Sequence, residues 1–69
     1  MVEVFKTNVS EPAQGQRLVG FLSAAFPSFR INLDLADCDK ILRVEGEYME
    51  TRTIMMVVKQ HGFTCEILD

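Results

Sequence analysis

The chain has 69 residues, with seven Lys and Arg against ten Asp and Glu for a formal net charge of −3. That length accommodates one domain, 1–69, because an independent core needs on the order of 50 residues or more. The negative balance is the opposite of what phosphate backbones or anionic lipid surfaces attract, so neither nucleic acid nor a membrane is an expected partner. No apolar run approaches the ~20 residues of a membrane span. Glu3 and Lys6 interrupt the first ten residues where a signal peptide would be apolar, so a cytoplasmic location is expected. The two cysteines, Cys38 and Cys65, are 27 residues apart. They are too few for a disulfide framework and match no common zinc spacing, which predicts two free thiols.

Val2 to Thr7 is a short β-rich run ending at the turn former Asn8, with Val2 and Val4 alternating with Glu3 and Phe5. Ser10 is placed to cap a helix running from about Glu11 to Phe26. Pro12 suits its first turn, and Leu18, Phe21, Leu22, Ala25 and Phe26 follow the three-and-four spacing of an amphipathic face. Gly15 and Gly20 each cost about 1 kcal/mol relative to Ala in a helix, so packing on a sheet has to hold this helix. Pro27 and Ser28 break it. Phe29, Ile31, Leu33 and Leu35 then alternate with Arg30, Asn32 and Asp34, the pattern of a strand with one buried face. Turn residues Ala36 to Asp39 lead into a third strand, Ile41 to Glu45, closed by Gly46. A second helix is predicted from about Met49 to His61, with Ile54, Val57 and Val58 at helical spacing and Gly62 as its stop. Phe63 to Leu68 is a last strand.

Strand, helix, strand, strand, helix, strand is the order of the ferredoxin-like βαββαβ unit, an α+β sandwich with two helices on one face of a four-stranded antiparallel sheet ordered 4-1-3-2. Nearly all of the chain resembles the heavy-metal-associated domain. The resemblance is carried by Val2 and Val4, the loop Asn8, Val9, Ser10, helix positions Leu18 and Leu22, the alternation Ile31, Leu33, Leu35, and the second-helix residues Ile54, Val58, Gly62 and Phe63. In metal-binding members of that family the first loop reads Met-x-Cys-x-x-Cys, two thiolates on one turn that grip a soft ion such as Cu(I). Laid on this chain, the Met falls at Val9 and the cysteines at Glu11 and Gln14. A carboxylate and an amide are hard oxygen donors, so the resemblance implies the fold and argues against the usual activity.

In that topology the first loop, the hairpin between strands two and three, and the junction after helix two share one end of the sheet. Glu11, Cys38 and His61 are therefore an alternative set of metal ligands, suited to Zn(II). The plainer reading gives Glu11 to the positive end of the first helix, His61 to the carbonyl end of the second, and Cys38 to a loop. Asp37 and Asp39 beside Cys38 disfavour a thiolate, and Met49, Met55 and Met56 read as helix packing. No catalytic constellation and no cofactor motif is present: His61 has no Ser or Cys neighbour in sequence, and no glycine-rich phosphate loop occurs. The chain is read as a non-enzyme.

The open face of the sheet is expected to present Glu3, Phe5, Arg30, Asn32, Ile41, Arg43 and Glu45. Phe5 and Ile41 there form a small apolar patch beside Arg30 and Arg43, a face for another protein or for a second copy of the chain. RNA-binding sheets of this topology stack bases on several aromatics, and Phe5 alone, with a charge of −3, does not meet that need.

Overall fold

The computed structural model describes residues 1–68. The elements are β1 (Val2–Thr7), α1 (Pro12–Ala25), β2 (Arg30–Asp34), β3 (Ile41–Glu45), α2 (Thr51–Gln60) and β4 (Cys65–Ile67). The strands form one antiparallel sheet ordered β2-β3-β1-β4, which is 4-1-3-2 read from the other edge. Both helices lie on the same face of it, and between the layers sit Phe5, Val9, Leu18, Leu22, Leu42, Val44, Ile54 and Val58, all essentially without solvent exposure.

The helix boundaries have local causes. Proline forces the residue before it out of the helical region, and Glu11 is accordingly extended at φ −126° and ψ 145°. The helix therefore opens at Pro12 with Glu11, not Ser10, as its cap residue. Gln14 reaches back from the first turn, its Oε1 accepting from the Glu11 and Ser10 amides at 3.3 and 3.2 Å and from the Ser10 hydroxyl at 3.3 Å. The second helix starts at Thr51, later than the Met49 expected, because Met49 is spent as a buried core residue in the approach. Its end is a Schellman motif. The Phe63 amide donates to the Val58 carbonyl at 3.2 Å and the Gly62 amide to Lys59 at 3.0 Å, with Gly62 at φ +88°.

Strand β1 corrects the expected facing. Its register sets Phe5 opposite Leu42 and Glu3 opposite Val44, whereas Val2, Val4 and Lys6 oppose Glu45, Arg43 and Ile41. Directly opposed residues share a face, so Phe5 lies in the core with Leu42 and Val44, and Val2 and Val4 lie on the open side. Both parities of the strand carry apolar residues, and the sequence pattern pointed the Val2 and Val4 row inward. What decides against that row is the size of Phe5 and the hydroxyl of Thr7, which is buried and donates to the Lys40 carbonyl at 2.7 Å. A one-residue change of facing moves every side chain of a strand to the other surface.

Candidate functional site

At one end of the sheet the first loop, the β2–β3 hairpin and the start of β4 meet, as the topology implies. Hydrogen bonds bind the three segments. The Thr7 amide approaches the Asp39 and Lys40 carbonyls at 3.3 and 3.2 Å, the Val9 amide donates to Thr7 Oγ1 at 3.3 Å, and the Thr64 amide donates to Asn8 Oδ1 at 2.8 Å. Lys40, held at φ +51°, ends the hairpin and sends its Nζ to the Leu35 carbonyl at 3.1 Å.

The meeting of these segments does not bring Glu11, Cys38 and His61 together as a ligand set. Among the described residues, the one trio of His, Cys, Asp or Glu whose ligating atoms lie within 4.8 Å of one another is Asp37, Cys38 and Asp39. Each member of the expected trio has its own local setting. Glu11 sits at the head of α1. Cys38 occupies the hairpin turn, where the Asp39 amide donates to Asp37 Oδ1 at 2.8 Å. The His61 ring stacks on Phe21 of α1 with centroids 3.7 Å apart and planes 7° from parallel. Both cysteines are free. Cys65 is buried, and that burial pushes its thiol above the ordinary 9.0, with Lys59 opposing weakly. A thiol in that state is a poor nucleophile and a poor ligand at neutral pH.

The open face keeps Arg30, Asn32, Ile41, Arg43 and Glu45, as expected, but Val2, Val4 and Lys6 stand there in place of Glu3 and Phe5. Phe5 is 0% exposed and is withdrawn from the apolar patch. The residue opposite Ile41 is Lys6, and Val4 stands opposite Arg43, which pairs with Glu45 at 2.9 Å. The three strands β1, β2 and β3 thus offer no aromatic ring on this side for a base to stack on.

At the far end of the same face lies a feature that strand periodicity did not reveal. Val2 and Arg30 run into a concavity of about 640 Å³ completed by Met1, Phe29, Glu45 and Tyr48. Tyr48 is 84% exposed and Met1 64%. The signal was an aromatic residue in a polar connection, Gly46-Glu47-Tyr48, where a buried ring has no reason to be.

Two solved structures share this architecture over nearly the full chain. The yeast copper transporter domain Ccc2A, determined in solution in its apo and Cu(I)-loaded states, has a TM-score of 0.82 at 17% identity over 99% of this chain and 94% of its own. The N-terminal domain of PacS from Synechocystis PCC6803 has a TM-score of 0.74 at 13% identity over 100% of this chain and 98% of that one. No protein-family model and no curated protein matches the sequence. At these identities the likeness establishes the fold, a ferredoxin-like sandwich similar to that of heavy-metal-associated domains.

Proposed function

We propose that the chain is a protein-binding module built on a heavy-metal-associated scaffold, acting in the cytoplasm without catalysis of its own and without a thiolate metal site. The contact surface is the open sheet face centred on Val4 and Ile41, flanked by Arg30 and Arg43 and continuing through Val2 to Tyr48. The observation that carries the reading is the exposure of Tyr48, Met1 and Val2 around one concavity, since aromatic, Met and Arg side chains are the residues enriched where proteins meet. The first loop supports it from the other side. Glu11 and Gln14 stand where the resemblance places soft donors, and Gln14 is committed to closing the first turn of α1. No helix among the described residues is long and apolar enough to cross a membrane.

The test has two arms. In a competition titration with Cu(I) and Zn(II), the protein is expected to show no sub-micromolar binding; tight binding abolished by Cys38→Ser would replace this reading with metal carriage. In capture from the source cell, a partner retained by the wild type is expected to be lost with Ile41→Glu and with Tyr48→Glu, and its retention by both variants removes the open face from the proposal.

A further inference from the structure

The two edges of the sheet are finished differently. Strand β4 exposes only Cys65–Ile67, a length too short to template another chain. Strand β2 is a five-residue edge, about 17 Å long at the usual rise, paired on one side only, in unbroken register with β3 from Arg30↔Glu45 to Asp34↔Ile41. It has no proline, no lysine and no bulge, the devices that normally blunt an edge.

Its side chains are self-complementary. If a second β2 approaches antiparallel about a two-fold axis through Asn32, Arg30 stands opposite the mate's Asp34, Asn32 opposite Asn32, and Ile31 opposite Leu33. Beyond the strand, Phe29 meets Leu35. A two-fold axis perpendicular to the sheet keeps each face continuous, so charges meet charges on the open side and apolar residues meet apolar residues on the helix side. The two charges are free to do so: the ion pairs among the described residues are Lys6–Asp39 and Arg43–Glu45, and neither Arg30 nor Asp34 has one. One Asp34 oxygen accepts from the Ala36 amide at 3.0 Å, which leaves the second for a guanidinium. Phe29, Ile31, Leu33 and Leu35 are each only half-buried in the single chain, and the same row on the mate would cover them.

We propose that the partner at this edge is a second copy of the chain, joined β2 to β2 about Asn32 into a continuous eight-stranded sheet. This goes beyond the protein-binding reading, which concerns the open face: the second copy binds at the edge of the sheet. An isologous edge of this kind closes on itself, so the assembly stops at two. The short strand makes it a concentration-dependent dimer and not an obligate one.

Sedimentation velocity over a concentration series, with wild type, Arg30→Asp, Asp34→Arg and the double swap, tests it directly. Each single change sets like charges opposite each other twice per dimer and is expected to raise the dimerisation midpoint about tenfold. The double swap restores opposite charges and is expected to return close to wild type, which no merely structural role of either residue would produce. Intermolecular NOEs between Ile31 and Leu33 methyls in a mixed-label sample confirm the register. A wild type that is monomeric throughout, or a dimer indifferent to all three variants, overturns the proposal. Ile41→Glu separates this from the face: a dimer that survives it yet weakens with Arg30→Asp supports the edge, and monomers that keep an Ile41-dependent heterologous partner overturn the edge while leaving the protein-binding reading in place.

Discussion

The two ends of the sheet are held by different physics. At the first-loop end, three segments converge on polar contacts: Thr7 with Lys40, Val9 with Thr7, and Asn8 with Thr64. At the other end Met1 and Gly46 exchange hydrogen bonds at 2.6 and 3.0 Å, and the remaining joints are made by rings. Phe26 and Phe29 stack with centroids 5.2 Å apart, and the Phe29 ring lies over the backbone of Gly46. Hydrogen bonds fix direction and fill the space between loops, whereas rings resting on a glycine leave a mouth around them, and the 640 Å³ concavity is that mouth. The end where the resemblance expects chemistry is thus the closed one, and the end that carries the proposed contact is open.

The largest effect is expected at the ring end. A Cβ on Gly46 would lie 2.5 Å from Phe29 Cδ1 and 2.8 Å from its Cε1, so Gly46→Ala must push the ring out of its stack on Phe26. Overpacking of this kind costs roughly 2–3 kcal/mol, a drop of several degrees in Tm at minimum for a domain of this size. Combining it with Phe29→Leu should give less than the sum of the two single losses, since the obstructing ring is gone. Additive losses would show that Gly46 is needed for some other reason.

The polar end breaks more gently. Thr7→Val keeps the shape and removes the hydroxyl, which leaves the buried Val9 amide without its acceptor and takes one donor from the Lys40 carbonyl. A cost of about 1–2 kcal/mol is expected in chemical denaturation. Asn8→Ala removes only the acceptor for the exposed Thr64 amide. A loss of about 0.5–1 kcal/mol follows, read best as faster hydrogen exchange at Thr64 with little change elsewhere. If Asn8→Ala proved as damaging as Gly46→Ala, the contrast between the two ends would be wrong.

Legibility in the sequence followed the strength of local signals. The order of elements and the sheet topology were readable because β2, β3 and both helices carry one dominant period each, and the Gly62 stop corresponds to a backbone conformation that only glycine adopts cheaply. Strand β1 was not readable in its facing, because Val2, Val4 and Phe5 put apolar residues on both parities and the buried acceptor for Thr7 belongs to a segment 33 residues away. Gly15 illustrates the same limit. In isolation it weakens a helix, but a Cβ there would sit 2.8 Å from Leu33 Cδ2, so the missing side chain makes room for the Leu33 methyl under α1. The first loop, the hairpin and the start of β4 meet through hydrogen bonds, yet whether Glu11, Cys38 and His61 converge depends on partners such as Phe21 that spacing does not name.

The smallest effect is a pH dependence at Cys65, which lies where the polar end passes into the core. Burial holds its thiol in the neutral form to a pH above 9.0, so the folded chain binds this proton more tightly than the unfolded chain does. The stabilisation is fully present below pH 9.0 and is lost as pH rises through the range between the unfolded and folded values, where the unfolded chain gains a thiolate that the folded chain resists. Cys65→Ala removes the group. Its stability relative to wild type should therefore be constant through neutral pH and improve as pH rises above 9.0. Because the two proteins differ at this residue alone, the difference between the two denaturation series isolates the thiol. A constant difference across that window would mean that Cys65 ionises as easily in the folded chain as in the unfolded one, and that β4 does not seal this corner of the core.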